Sequence, residues 1–159
     1  MEESISAMSP ITIRPARQDD IATIVAMLAD DHLGRARERL EEPLPAPYYR
    51  AFERLSHDPN IELVVAEEGG RVVGCLQLCI LPGLSSQGAS RGLIEDVRVA
   101  SDRRSQGIGE KLVQWAVGEA KTRRCKLVEL LTHHTRVDAQ RFYERLGFAR
   151  SHLGMTIRF

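Results

Sequence analysis

The chain has 159 residues, of which 43 % are apolar and 28 % are charged, and its 22 basic residues balance its 22 acidic ones. These proportions are typical of one soluble globular domain and exclude a disordered or fibrous protein. The net charge of zero gives no global reason to expect binding to nucleic acid or to an anionic membrane.

The cellular compartment is predicted from the apolar runs and the cysteines. No run approaches the ~18 apolar residues that a membrane-spanning helix needs, and the acidic, polar start at Met1–Ser4 is unlike a signal peptide. The three cysteines are odd in number. Cys75 and Cys79 are too far apart on one predicted strand to form a disulfide. We therefore expect a cytoplasmic protein.

The hydrophobic pattern divides the chain into a flexible tail at residues 1–9 and a single domain over residues 10–159. Alternation, 3.6-residue periodicity and turn residues predict the elements of that domain in chain order. They are a strand (11–14), a helix capped by Asp19 and Asp20 with the stripe Ile21, Ile24, Val25 and Leu28, a helix (48–55), a hairpin (61–67 and 71–81) about Gly69-Gly70, a loop (82–92), a strand (93–99), a helix (107–123) with the stripe Ile108, Leu112, Ala116 and Ala120, a buried strand (127–132), a helix (137–146) ended by Gly147, and a last strand (155–159).

The strands on either side of the helix 107–123 form a βαβ unit. A crossover of this kind makes the two strands parallel, whereas the preceding hairpin is antiparallel. The sequence therefore predicts a mixed sheet with helices, of the α/β or α+β class. Ligands of such units lie beyond the carboxyl ends of the strands, where the turn at residues 102–111 is expected.

That turn has the features of a phosphate site. Gly107 and Gly109 carry no Cβ atoms that would block a close approach, and the start of the helix adds unpaired N–H groups and the positive end of its dipole. Three cations surround it, Arg103, Arg104 and Lys111. The P-loop pattern is absent, and Leu112 is too large for the third small position of a dinucleotide fingerprint. Taken by itself the turn is equally consistent with a plain strand-to-helix connection.

Further motifs resemble those of one family. The pattern Arg104-Ser105-Gln106-Gly107-Ile108-Gly109 resembles the acyl-CoA motif, Gln/Arg-x-x-Gly-x-Gly/Ala, of the GNAT acetyltransferase superfamily. The segments 95–99 (Glu-Asp-Val-Arg-Val) and 139–148 (Ala-Gln-Arg-Phe-Tyr-Glu-Arg-Leu-Gly-Phe) are also typical of it, as is the element order over residues 11–159. The resemblance implies a mostly antiparallel sheet with a central parallel βαβ unit, helices on both faces, and acetyl-CoA as co-substrate.

A narrower likeness covers the segment 132–143 and Ser151-His152. These residues resemble the aminoalkylphosphonate N-acetyltransferases and related acetylators of small amines. One position departs from that pattern, since His133 stands where those proteins usually carry Asn after the fifth strand. Any contact that this Asn makes with cofactor or substrate is therefore not carried over.

The resemblance also implies where the cofactor and the oxyanion bind. It places a backbone N–H donor for the oxyanion at Val97 and further backbone bonds to the pantetheine arm at Val99. The predicted cofactor-binding residues are Val97, Arg98, Val99, Arg104, Ser105, Gln106, Gly107, Ile108, Gly109, Glu110 and Lys111.

The candidate catalytic residues are Glu95, Asp96 and Tyr143. An alkyl amine has a pKa near ~10 and is mostly protonated at neutral pH, so a base would assist its acetylation. Glu95 and Asp96 should point to opposite faces of their strand; we favour Glu95 as the base because alternation puts it on the face of Val97 and Val99. Both carboxylates are equally consistent with a purely structural role.

Tyr143 resembles the tyrosine that protonates the departing thiolate in many members of the superfamily. Periodicity alone would place it in the core, because Ala139, Phe142 and Leu146 form a helical apolar stripe with it. The matched motif favours the role of acid instead.

The remaining expectations concern metals, acceptors and partners. His133 and His134 have no third ligand at a suitable spacing, so no metal site is predicted. The expected acceptor is a primary amine on a small molecule, whose anionic group Arg136 or Arg141 could receive, although either arginine fits a solvated helix face as well. The alternatives are acetylation of a protein lysine or N-terminus, and a non-catalytic acyl-CoA-binding regulator. A homodimer is possible because sheet edges often pair.

Overall fold

The computed structural model describes residues 9–159 of the chain; the predicted tail therefore lies outside the described residues except for Ser9. Five strands form one sheet in the order β1-β2-β3-β4-β5. They are β1 (Ile11–Pro15), β2 (Ile61–Glu68), β3 (Arg71–Leu81), β4 (Arg91–Val99) and β5 (Val128–Leu130). The helices are α1 (Ile21–Ala29), α2 (Ala46–His57), a four-residue α3 (Ser85–Gly88), α4 (Ile108–Thr122) and α5 (Val137–Arg145).

The sheet is mixed, as the sequence predicts. Strands β1 to β4 pair antiparallel, and β4 pairs parallel with β5, because α4 carries the chain back to the same end of the sheet. The hairpin of β2 and β3 turns at Gly69 and Gly70, whose φ angles of +55° and +81° belong to the left-handed region that favours glycine.

The two faces of the sheet carry different helices. The predicted stripe of α4 is fully buried against β3 and β4, with Ile108, Leu112, Ala116 and Ala120 at most 2 % exposed. The other face packs on α1 through Ile24 and Met27. Leu28 of the predicted α1 stripe is only half-buried. We call these surfaces of the sheet the α4 face and the α1 face.

Strand β4 contains a bulge that the sequence pattern does not predict. Glu95 lies opposite Gln77 and Arg98 lies opposite Cys75, so β4 has one residue more than β3 in this interval. Asp96 takes the left-handed φ of +52° within it. A β-bulge interrupts the alternation of side chains.

The bulge corrects the predicted faces of β4. Glu95 shares the α1 face with Gln77, whereas Val97 and Val99 pack on the α4 face. The expectation that Glu95 would lie on the face of the two valines is wrong, because simple alternation holds only in an uninterrupted strand.

The C-terminal part differs from the prediction in two ways. β5 is limited to Val128–Leu130 and is half-buried rather than buried. The predicted strand at residues 155–159 is absent, because the segment 149–159 has no regular structure and its backbone pairs with no strand among the described residues. A strand pattern alone does not make a strand when the segment pairs with no other strand.

Two further findings concern the cysteines and the apolarity of the helices. The cysteines Cys75, Cys79 and Cys125 are all free, as expected from the spacing of the first two. None of the described helices is both long enough and apolar enough to span a bilayer.

We expect the contact of α4 with β3 to depend on Gly74. A Cβ atom there would lie 3.0 Å from Leu112 Cδ1, 3.0 Å from the Arg98 carbonyl oxygen and 3.2 Å from Ile108 Cγ2. Gly74→Ala should therefore lower the free energy of unfolding by about 1–3 kcal/mol through overpacking. Gly118→Ala is the matched control: no atom lies within 4 Å of its Cβ position, and alanine in a helix should raise stability by up to about 1 kcal/mol. Denaturant unfolding measures both, and a shift of the two variants in the same direction would contradict the assignment.

Candidate active site

The turn before α4 adopts the geometry of an anion-binding cradle. Ser105 and Gly107 have φ angles of +61° and +81°, and Gly107 is the residue that caps the helix. The space beside its Cβ position is open, with no other residue within 4 Å. Lys111 donates its backbone N–H to the Gly107 carbonyl oxygen at 3.1 Å, which closes the first turn of the helix.

The backbone donors of this turn are free. Ile108, Gly109 and Glu110 occupy the first three positions of α4, whose N–H groups have no intrahelical acceptor. None of the backbone hydrogen bonds found outside regular elements in residues 9–159 uses them. These N–H groups and the positive end of the helix dipole suit a diphosphate, so the turn fits the coenzyme A that the sequence implies.

The three predicted cations around the turn are not equivalent. Arg103 donates from Nε to a Glu68 carboxylate oxygen at 2.7 Å, and Arg104 pairs with Asp30 at 3.1 Å. Lys111 has no carboxylate within 4.0 Å among the described residues. It borders a small cavity of about 210 Å³ beside the turn. Lys111 is therefore the cation most available to an incoming phosphate.

Strands β4 and β5 part next to this turn. Their pairing begins at Gly92 opposite Val128 and ends at Ile94 opposite Leu130. The backbone of β4 from Glu95 to Val99 consequently has no partner on the side of β5 within the described chain. Unpaired backbone groups of this kind offer hydrogen bonds to an extended ligand. The gap leads from the anion cradle to the two candidate carboxylates.

Glu95 and Asp96 are both exposed, and their surroundings differ. Gln77 donates from Nε2 to Glu95 Oε2 at 3.3 Å, and the Cys79 thiol lies 3.8 Å from the same oxygen. The carboxylate of Asp96 has no hydrogen bond within the described residues; only its carbonyl oxygen is contacted, by Cys75 Sγ at 3.6 Å. Glu95 is thus the carboxylate that neighbouring side chains hold in place.

Tyr143 packs its ring into the core and leaves its hydroxyl unpaired. The ring makes edge contacts with Phe142 and Phe148, at centroid distances of 5.0 and 5.8 Å. No hydrogen bond of the hydroxyl is found within residues 9–159. Burial raises the pKa of the phenol, while the charges of Arg98 and Arg136 act to lower it and are outweighed. A raised pKa keeps the phenol protonated at neutral pH, so it is available as a proton donor.

A charge cluster that the sequence does not reveal ties α1 to α5. The Asp31 carboxylate, just after α1, accepts from the Arg136 guanidinium. Burial acts to raise the pKa of Asp31, but Arg136 and Arg98 outweigh it and lower that pKa. Arg98 donates from Nη1 to the Val97 carbonyl oxygen at 2.9 Å, and its buried Nε has no partner in the described chain. Of the two arginines predicted to receive an anion, Arg136 is paired with Asp31, whereas Arg141 is exposed. Arg141 is therefore the more available of the two to a ligand.

The other predicted positions fall at the edges of this arrangement. Gly109 brings α4 against α5 and β4, with Phe142 Cζ 3.4 Å and Val99 Cγ2 3.7 Å from its Cβ position. The rings of His133 and His134 stack at 4.4 Å, and His133 Nδ1 lies 2.7 Å from Thr135 Oγ1. Within the described residues no three metal-binding side chains cluster; the prediction of a metal-free site is not tested by this.

A wide cleft of the described structure lies away from the turn and the candidate carboxylates. It measures about 1000 Å³ and is bordered by α1, by the β2–β3 turn and by Ala100, Ser101 and Asp102. None of the three candidate catalytic side chains lines it. It is wide open to solvent, unlike the enclosed pocket of most small-ligand sites, so the site is assigned by chemistry rather than by volume.

Comparison with known proteins agrees with this geometry. The family model described as "Acetyltransferase (GNAT) family" matches residues 25–148. An aminoalkylphosphonate N-acetyltransferase of Salmonella typhimurium (strain LT2) is 31 % identical over 98 % of this chain and 96 % of its own. A crystal structure named as a transcriptional regulator from Bacillus halodurans C-125 is 51 % identical, with a TM-score of 0.92 over 94 % of this chain and 100 % of that one.

A more distant structure shares the fold alone. Glucosamine-6-phosphate N-acetyltransferase from Arabidopsis thaliana superposes with a TM-score of 0.75 at 22 % identity, over 95 % of this chain and 99 % of that chain. The family match covers most of the described residues and includes the cradle, the parted strands and Tyr143. The chain therefore belongs to the GNAT family of acetyltransferases, which take the acetyl group from acetyl-CoA.

Proposed function

We propose that this acetyltransferase moves the acetyl group directly from acetyl-CoA to the primary amine of a small molecule, with both substrates bound at once. The observation that carries the proposal is the alignment of the free N–H groups at the start of α4 with the unpaired backbone of β4. The first suits the diphosphate and the second suits the pantetheine arm. Together they direct the thioester toward Glu95 and Asp96, which are exposed to an acceptor.

Three groups meet the chemical needs of the transfer. A carboxylate, for which we favour Glu95, takes the proton that the ammonium must lose, directly or through water. The N–H of Val97, beside the bulge, donates to the oxyanion that develops on the carbonyl. Tyr143 gives its proton to the sulfur as the carbon–sulfur bond breaks, so that free coenzyme A leaves as a thiol and not as a thiolate. The second proton, which the nitrogen loses as the amide forms, restores the phenol.

We propose an acceptor that combines its amine with an anionic group. The Salmonella relative is named for aminoalkylphosphonates, which have both. Arg141 is exposed, and the three-residue cluster of Arg98, Arg136 and Asp31 has an excess of positive charge. A phosphonate or carboxylate would find guanidinium partners there. An amine on a protein, from a lysine or an N-terminus, is the alternative within the same reaction class.

A second candidate function is binding of acyl-CoA without turnover. The name of the 51 % identical Bacillus halodurans structure, a transcriptional regulator, favours it. The cradle would serve both functions equally. The two functions differ in their need for Glu95, Asp96 and Tyr143, because a protein that only binds acyl-CoA requires neither a base nor an acid.

We expect acetyl-CoA to bind and to be consumed with small anionic amines. At ~100-fold excess over its dissociation constant it should stabilise the fold by about 2.7 kcal/mol, measured by denaturant unfolding. Release of free thiol should then be fastest with aminoalkylphosphonates and amino acids, slower with neutral alkyl amines, and slowest with lysine peptides. Stabilisation without thiol release on any amine would favour the binding protein, and preference for peptides would favour the protein acetyltransferase. Absence of stabilisation would contradict the cradle itself.

Tyr143→Phe should retain the fold, because the ring contacts with Phe142 and Phe148 do not need the hydroxyl. The lost proton donor should lower kcat by about 10²-fold and leave the affinity for acetyl-CoA unchanged. Since the pKa of the phenol is raised, the wild-type rate should fall only at strongly alkaline pH, and the variant should lack this fall. A variant with full turnover would exclude Tyr143 as the acid.

Glu95→Gln should lower the rate at neutral pH by about 10²-fold or more, with partial recovery at high pH as the free amine becomes abundant. Asp96→Asn is the matched control, since the carboxylate of Asp96 is exposed like that of Glu95 but accepts no hydrogen bond from another side chain of the described residues. We expect its pH–rate profile to follow the wild type. The reverse result would transfer the role of base to Asp96, and unchanged profiles for both would remove a carboxylate base from the mechanism.

A further inference from the structure

The proposed reaction uses the backbone on both sides of Arg98 but not its guanidinium group. Arg98 follows the bulge in β4 and lies opposite Cys75 of β3, which belongs to the cluster that packs on α1. Cross-strand neighbours project from the same face of a sheet. The side chain of Arg98 therefore starts from the α1 face, as that of Glu95 does.

The bulge is what puts Glu95 and Arg98 on one face. In a regular strand, two residues three positions apart project to opposite faces. The extra residue at Asp96, with its φ of +52°, reverses this relation, as the register of β4 with β3 shows. One face of β4 thus carries the candidate base and a guanidinium group, and the described residues include no ion pair between the two.

The positive charge of Arg98 is not neutralised within the described chain. Its Nη1 donates to the Val97 carbonyl oxygen at 2.9 Å, while its buried Nε has no acceptor there. The Asp31 carboxylate, which feels the charge of Arg98, is paired with Arg136, so two guanidinium groups share one carboxylate. Burial of a charge without a counter-charge is unfavourable. One positive charge is left in excess, and an anion would neutralise it.

Arg98 is also placed where an acceptor must come. Its charge acts to lower the pKa of the Tyr143 phenol, so the guanidinium lies within electrostatic reach of the proposed acid. Glu95, the proposed base, is on the same face of the same strand. A small acceptor with its amine beside Glu95 therefore has a guanidinium group next to it along β4.

We propose that Arg98 receives the anionic group of the acceptor and thereby selects amines that carry a phosphonate or a carboxylate. This inference rests on the proposed function, because it concerns the acceptor of that reaction. A guanidinium binds either anion through parallel hydrogen bonds. Arg98 is half-buried, whereas Arg141 is exposed. Water screens an exposed ion pair, so Arg98 discriminates more strongly than Arg141 between charged and neutral acceptors.

The test compares acceptors that differ only in the anion. Aminoethylphosphonate and β-alanine each combine a primary amine with an anionic group, and propylamine is the neutral counterpart. Arg98→Met removes the guanidinium and keeps an unbranched chain, whereas Arg98→Lys keeps the charge without the planar fork. Arg91→Met is the matched control, because it removes the same charge at the exposed start of β4. Circular dichroism checks the folding of all three variants.

We expect Arg98→Met to lower kcat/KM for the two anionic acceptors by about 10- to 100-fold, since hydrogen bonds to a charged group are lost. The loss should appear mainly as a higher KM, and kcat/KM for propylamine should change little. Arg98→Lys should retain part of the preference for anions, which keeps the comparison valid if Arg98→Met folds poorly. Arg91→Met should behave as the wild type with all three acceptors.

A probe without an amine separates this inference from the proposed function. Ethylphosphonate should bind the wild-type complex with coenzyme A, and should bind Arg98→Met at least about 10-fold more weakly by calorimetry. Absence of probe binding to the wild type would overturn the inference. So would equal losses for anionic and neutral acceptors, because Arg98 would then act on the reaction or on the fold. A protein that binds the probe through Arg98 but acetylates no amine would support the anion site and contradict the proposed function.

Discussion

The separation of β4 from β5 after Ile94 is the feature on which the site depends. Up to that residue the two strands are parallel neighbours, and beyond it the backbone of β4 lacks a partner on that side. Exposed backbone groups at the centre of a fold need either water or a ligand. The bulge at Asp96 acts at the same place, because the extra residue turns Glu95 to the α1 face and keeps Val97 and Val99 on the α4 face. In the proposed reaction, the carboxylate of Glu95 therefore lies on the α1 face, while the cofactor bonds to the unpaired backbone of the same strand.

Close packing of α4 on the sheet fixes the distance between the turn before α4 and this strand. Gly74 lets the helix rest on β3, and Gly109 lets its first turn meet Phe142 of α5. A Cβ atom at Gly74 would force a neighbour to move, whereas one at Gly109 would meet Phe142 and Val99 at ordinary contact distances. Since misplacement by about 1 Å can cost about 10²-fold in rate, the proposed reaction depends on the close packing at Gly74, although this residue carries no reactive group.

The sequence predicts those parts of the structure that depend on local pattern. The hairpin at Gly69-Gly70, the buried stripe of α4 and the end of α5 at Gly147 follow from turn residues and periodicity, and the structure has all three. At Gly147, with a φ of +94°, the N–H groups of Gly147 and Phe148 close the helix on Glu144 and Tyr143. The family motif likewise predicts the turn that begins α4 at Gly107. That coenzyme A binds there stays a prediction.

What depends on relations between distant segments is not predicted. The bulge in β4 arises from its register with β3, and nothing in residues 93–99 alone shows that alternation stops there. The pairing of Asp30 with Arg104 and of Asp31 with Arg136 joins residues that are 74 and 105 positions apart. The strand predicted at residues 155–159 has the right pattern, but a strand also needs a hydrogen-bonding partner, and the pattern of one segment does not show whether it has one.

Asp30 and Asp31, at the end of α1, form two ion pairs that differ in their exposure to solvent. Asp30 and Arg104 form an exposed pair, with 45 % and 54 % of their side chains accessible, and such pairs contribute at most about 1 kcal/mol. In the proposed complex, the diphosphate of coenzyme A therefore takes Arg104 from Asp30 at little cost in free energy. The pair of Asp31 and Arg136 is more enclosed, at 14 % and 24 %, and removal of one partner of an enclosed pair costs more. The end of α1 is thus held more firmly to the start of α5 than to the turn before α4, where we propose that the diphosphate binds.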